Sequence, residues 1–150
     1  MTLSMQEVSD RMEIEDLVHC YAEAIDQQDF SLLDTVFTAD AFVDYTAMGG
    51  AAGTYPEVRR YLQQALPALV DYYHMVGNIR IRLDGDRASG RVMCFNPMGV
   101  ALPEGESHML FLGLFYIDDY QRTADGWRIS RRVEERRWGY NVPEWLNTGN

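Results

Sequence analysis

A chain of 150 residues and 17.2 kDa, 47% hydrophobic and 24% charged, fits one globular domain spanning residues 1–150 with a core of its own. This composition excludes a disordered or collagen-like chain. The formal net charge is −10 and all 13 basic residues are arginine, so the lysine-dependent chemistries drop out: Schiff bases, pyridoxal phosphate attachment and Walker-type phosphate loops. An acidic chain of pI ≈ 4.6 is repelled by phosphate backbones, so no nucleic-acid partner is expected. No apolar run approaches the ~20 residues that span a bilayer. The opening MTLSMQEVSDRMEIEDL lacks the basic start and apolar stretch of a signal peptide, so a cytoplasmic location is the expectation. Cys20 and Cys94 lack CxxC spacing and read as buried small hydrophobes.

Ser4 and Glu7 fit a capping box. From there Ile14, Leu17, Val18, Tyr21, Ala24 and Ile25 recur at helical spacing and form one apolar stripe. Asp29 is placed to cap a second short helix with Leu32, Leu33, Val36 and Phe37 on its buried side. Ala41 to Tyr45 reads as a short strand. The segment Met48-Gly-Gly-Ala-Ala-Gly-Thr54 reads as a loop, because three glycines leave the backbone too free for a helix or strand. Thr54-Tyr-Pro-Glu57 starts another helix, with Pro56 near its first position, running to about Leu66 before Pro67 interrupts. The second half reads as strands over His74–Leu83, Arg87–Val100, His108–Arg122 and Trp127–Trp138, with hairpin turns at Asp84-Gly85 and Asp125-Gly126. Helices first and strands later imply an α+β domain: an antiparallel sheet covered on one face by the N-terminal helices, with a pocket between them where the sheet curves.

Several stretches together resemble the SnoaL-like branch of the nuclear transport factor 2 superfamily. They are Glu13-Ile-Glu-Asp-Leu-Val-His-Cys-Tyr21, Ala24-Ile-Asp26-Gln-Gln-Asp29-Phe30, Phe42-Val-Asp-Tyr45, His74-Met-Val-Gly-Asn78 and Asp125-Gly-Trp-Arg-Ile129. The resemblance implies a cone: a curved antiparallel sheet wrapped by helices around a deep pocket. It is nearest in pattern to scytalone dehydratase, the bile acid 7α-dehydratase and hexachlorocyclohexane dehydrochlorinase, which perform cofactor-free eliminations. By that resemblance Asp26 and His74 match a catalytic Asp–His pair, and Tyr21 and Tyr45 match pocket tyrosines. Asn96 and Arg136 fall at substrate-contacting positions, and His108 lies near a second pocket histidine. The resemblance implies no cofactor, a small hydrophobic ligand, and a homodimer or homotrimer. The superfamily also holds ketosteroid isomerases, polyketide cyclases and plain binding proteins, so fold alone does not fix the chemistry.

The residues add their own reading. A histidine can take a proton near neutral pH, and a carboxylate beside it would fix its tautomer. Helical periodicity puts Asp26 ~140° from Tyr21 at 100° per residue, facing outward, so only the resemblance turns it inward. Asp44 and Tyr45 alternate on one strand, so one of them faces the pocket; the dehydratase pattern favours Tyr45. Arg131, Arg132, Arg136 and Arg137, interleaved with Glu134 and Glu135, read as a solvated charge run, with Arg136 set apart. Arg136 and Trp138 share strand parity and are expected on one face, where they would suit an anionic or carbonyl-bearing ring. Phe111, Leu112, Leu114 and Phe115 are expected to enrich an apolar outer sheet face. His19, His74 and His108 lack metal-ligand spacing, and no metal is expected.

Overall fold

The computed structural model describes residues 2–146. Helix α1 (Met5–Asp26) starts where Ser4 and Glu7 close the capping box, Ser4 Oγ accepting from the Glu7 amide and Glu7 Oε2 from the Ser4 amide. Its apolar stripe, Ile14 to Ile25, is buried. Helix α2 (Phe30–Leu33) is one turn, capped by Asp29. Val36 and Phe37 lie beyond it, contrary to the expected longer helix, although both are buried. Strand β1 (Phe37–Asp44) takes Phe37 as its first residue, so it starts four residues before the expected Ala41 and ends at Asp44. A 3-10 turn (Thr46–Met48) and strand β2 (Ala52–Thr54) follow. The glycine segment is therefore a structured return and not a free loop. Helix α3 (Tyr55–Ala65) begins with the Thr54–Glu57 box and passes into a 3-10 turn around Pro67.

The remaining strands are β3 (Leu69–Tyr72), β4 (Met75–Asp84), β5 (Arg87–Ala101), β6 (Ser107–Thr123) and β7 (Gly126–Tyr140). Strand β3 was not foreseen, and His74 sits in the corner between β3 and β4, not inside a strand. The sheet order is β2-β1-β7-β6-β5-β3, with β4 also pairing β5. All pairs are antiparallel except β1 with β7, a correction to the fully antiparallel expectation. The long β5 serves β4 with its first half and β3 with its second. Register shifts in the β4–β5, β3–β5 and β6–β7 pairs bend the strands, and this curvature gives the sheet a concave face.

Two shifts on β7 decide which side chains enter the concavity. Trp127 and Ile129 point inward; the shift at Ser130 then turns Arg132 inward in place of Arg131. A second shift, at Arg137, falls between the Arg136–Leu114 and Trp138–Gly113 pairs. Across from β7, Leu110, Leu112, Leu114 and Tyr116 of β6 are buried on the concave side, so Leu112 and Leu114 belong to the core and not to the outer face as expected. Phe111 stacks on Phe95 on the convex side. Among the described residues no helix is long and apolar enough to cross a membrane.

Candidate functional site

The cavity between sheet and helices has a volume of about 340 Å³, the lower end of the range of small-molecule sites. Ile25, Leu62, Leu66, Met98, Leu112 and Leu114 make its wall mostly apolar. The side chains with polar groups that line it are few: Tyr21, Tyr45, Tyr61, His74, Asn96, Glu134 and Trp145.

The β3–β4 corner delivers His74. Asn96 on β5, itself buried, donates from Nδ2 to the Tyr73 carbonyl at 2.9 Å. The Tyr72 hydroxyl donates to the Ile25 carbonyl at 3.0 Å, tying the corner to the end of α1. Asp26, the last residue of α1, accepts from the His74 amide at 3.0 and 3.1 Å through its two oxygens, and its Oδ1 lies 2.7 Å from His74 Nδ1. A carboxylate can only accept, so Nδ1 carries the proton of this bond; in the neutral imidazole that leaves Nε2 with the lone pair. Periodicity misplaced Asp26 because its partner does not sit across a helix face. The corner folds over the helix end and meets the side chain there.

Tyr45 follows β1, continuing the inward parity of Ala41 and Val43, while Asp44 points away and accepts from the Thr46 amide. The glycine return holds Tyr45: its amide donates to the Ala51 carbonyl, and its carbonyl accepts from the Gly50 amide, each at 2.9 Å. A Cβ on Gly50 would lie 2.7 Å from the Tyr45 Cβ, so this approach needs glycine. The hydroxyls of Tyr21 and Tyr45 share a hydrogen bond of 2.7 Å. The Tyr21 ring meets the His74 ring edge-on at 6.3 Å. Burial pushes the Tyr21 hydroxyl up to about 12, so it stays protonated.

Beneath the tyrosines lies Arg132, fully buried, its guanidinium 4.1 Å from the Tyr21 ring and 4.0 Å from the Tyr116 ring. It donates from Nε and Nη2 to the two oxygens of buried Asp118 at 2.8 and 2.7 Å. Reading Arg132 and Glu134 as part of a solvated run fails here, because the shift at Ser130 sends both inward.

The other expected contacts do not gather at the cavity. His108 lies 2.7 Å from the Asn141 carbonyl through Nε2 and does not line the cavity. Trp138 covers Gly113, where a Cβ would lie 2.2 Å from the indole nitrogen, and packs on Phe95 at 6.1 Å on the convex side. Arg136 pairs with inward-facing Leu114, so the two residues expected on one face are on opposite faces, separated by the shift at Arg137. Arg136 is not among the residues lining the cavity. Glu134 is the site residue that sequence reasoning missed. Strand parity with Arg132 was the available signal, and the surrounding charges masked it. Among the described residues no group of three or more histidine, cysteine or acidic side chains stands together as a metal site.

Comparison with known proteins agrees with this architecture. A family profile described as a SnoaL-like domain matches residues 6–133. The uncharacterized protein Rv2910c of Mycobacterium tuberculosis (strain ATCC 25618 / H37Rv) is 52% identical over 134 residues, covering 89% of this chain and 90% of its own. Among solved structures, the Kfla4162 protein from Kribbella flavida superposes with a TM-score of 0.80 at 24% identity, covering 89% of this chain and 94% of that one. Hexachlorocyclohexane dehydrochlorinase LinA-type3 from Novosphingobium barchaimii LL02 superposes with a TM-score of 0.75 at 18% identity, covering 89% and 90%. At such identities the structural likeness establishes the fold.

Proposed function

The chain belongs to the SnoaL-like domain family, and from that premise we propose that it is a cofactor-free lyase acting on a small hydrophobic oxygenated ring compound by a dehydratase-type elimination. His74 Nε2 takes a carbon-bound proton next to an activating carbonyl. Asp26 fixes the tautomer and stabilises the imidazolium that forms. The Tyr21–Tyr45 pair donates a hydrogen bond to the oxygen that gains charge, and Asn96 holds the corner that carries His74. The observation that carries this reading is the 2.7 Å contact of Asp26 with His74 Nδ1 at the wall of an apolar cavity. The elimination performed by the dehydrochlorinase of like fold supports the same reaction class.

The test is proton exchange. With 2-tetralone in deuterated water, the protein accelerates loss of the protons next to the carbonyl, followed by NMR. His74→Ala and Asp26→Ala lower that rate ~10²–10⁴-fold while circular dichroism stays native. Wild-type rates in both variants would remove the mechanism.

A ketosteroid-isomerase-like or polyketide-cyclase-like reaction uses the same base and would also exchange these protons; product analysis separates them from dehydration. The predominantly apolar cavity wall favours a second reading, a non-catalytic ligand-binding or dimerisation module, in which 2-tetralone binds without exchange. Exposed Met75, Trp138 and Tyr140 suit a homodimer or homotrimer contact on the convex face, checked by light scattering.

A further inference from the structure

Glu134 is the group in the cavity that the elimination does not yet use. Its Oε2 is buried and has no hydrogen-bond partner. Arg132, two residues earlier on β7 and turned to the same side, has given Nε and Nη2 to Asp118. Among the described residues no ion pair joins Arg132 to Glu134. Arg132 of β7 and Asp44 at the end of β1 act on Glu134, and its charge in turn raises the groups that face it from the other elements: Tyr21 of α1, Tyr45 after β1, Tyr61 of α3, Cys94 of β5 and Tyr116 of β6. Burial pushes the Glu134 carboxyl well above its ordinary value, Arg132 opposes this, and the Asp44 carboxylate adds to it. A buried carboxyl oxygen without a donor is costly as an anion, and as an acid it carries an O–H in search of an acceptor. Among the described residues no acceptor bonds to it, and the acceptor belongs on a ligand.

We propose that Glu134 is a second catalytic residue, an acid that donates its O–H to the leaving hydroxyl of a cyclic β-hydroxy ketone bound in the cavity. The inference rests on the elimination reading and narrows its substrate class. His74 Nε2 takes the proton from the carbon between the carbonyl and the hydroxyl-bearing carbon. The C–H electron pair becomes the new C=C bond, and the C–O bond breaks with its pair on oxygen. Glu134 supplies the proton that lets this oxygen leave as water. Afterwards imidazolium and carboxylate exchange their proton through solvent, which restores both groups. One cavity thus takes its proton acceptor from His74 and its proton donor from Glu134, the usual division between base and acid.

The experiment uses two substrates and one spectrum. Dehydration of 3-hydroxycyclohexanone, followed by the absorbance of the enone, needs both acid and base; exchange at 2-tetralone needs the base. Glu134→Gln cannot release a proton, so it lowers kcat for dehydration ~10²–10⁴-fold and loses far less of the exchange rate. His74→Ala loses both. Infrared difference spectra of wild type minus Glu134→Gln at pH 7 contain the carbonyl stretch of a neutral carboxylic acid, and 2-tetralone shifts it. An ionised carboxylate in that spectrum, an acid band indifferent to 2-tetralone, or dehydration in Glu134→Gln at the wild-type rate overturns the assignment. Exchange without any wild-type dehydration overturns the substrate class. Wild type inactive in both assays instead removes the elimination reading, and the infrared response to 2-tetralone still decides whether Glu134 meets a ligand oxygen.

Discussion

Helix α1 carries a carboxylate at each end of its buried length, and the two are treated differently. Asp10 accepts from Arg122 Nη1 and Nη2 at 2.7 and 2.8 Å, from Trp127 Nε1 at 3.1 Å and from Gln6 Nε2 at 3.0 Å. Beyond it, Arg132 and Asp118 form a bidentate pair, and Tyr120 donates to Asp118 at 2.8 Å. Some 24 Å further along the helix, at 1.5 Å per residue, Asp26 meets His74, which lines the cavity. There, among the described residues, the tyrosine hydroxyls share one bond, His74 bonds Asp26 through Nδ1 and Glu134 Oε2 has no partner. Polar groups with several partners lock elements together, although Arg11 Nε and Arg132 Nη1 are, like Glu134 Oε2, buried without a partner among the described residues.

The sharpest break in this contrast comes from the buried Arg132–Asp118 pair. Asp118→Ala leaves the Arg132 guanidinium buried and uncompensated and lowers stability by roughly 3–5 kcal/mol in urea unfolding. Loss of less than 1 kcal/mol would mean that water reaches Arg132. Asp10→Asn, which keeps shape but weakens four hydrogen bonds, costs about 1–3 kcal/mol.

The two ends also answer pH with opposite sign. Hydrogen bonds from Arg122 hold the Asp10 carboxyl down to about 2 from an ordinary 3.8, against the effect of burial. Its contribution is complete above about 3.8 and is lost as pH falls through about 2. Glu134 is raised by burial, so its contribution is complete below the ordinary 4.5 and is lost as pH rises through the elevated value. Urea midpoints measured across pH therefore lose part of their acid limb in Asp10→Asn and part of their alkaline decline in Glu134→Gln. A common slope in wild type and Glu134→Gln would mean that Glu134 is ionised when folded. The smallest effect belongs to Tyr45→Phe, which removes the bond to the Tyr21 hydroxyl at about 0.5–1.5 kcal/mol. A more stable variant would identify the hydroxyl pair as a strained feature kept for the ligand.

Much of the fold was legible because its signals are local. The Ser4 box, the helix start at Thr54–Glu57, the Ile14–Ile25 stripe and the Asp84-Gly85 turn each act within a few residues, and each formed where the pattern put it. The site was legible in part. Asp26 and His74 were matched only through resemblance, since the residues themselves pointed Asp26 outward. The reading of β7 failed because one extra residue at Ser130 and another at Arg137 reverse strand parity. Those two residues separate Arg136 from Trp138 and turn a charge run into a buried arginine and a buried acid.

The sequence by itself determined the helices, their caps, the hairpins and the α+β order, because hydrophobic period and capping chemistry need no distant partner. The tertiary structure alone decided that the end of α1 meets the β3–β4 corner, and that Glu134 enters a cavity while Trp138 leaves it. Those outcomes depend on register and on chain reversal between segments far apart in sequence, and alternation along one strand carries no information about where its partner inserts a residue.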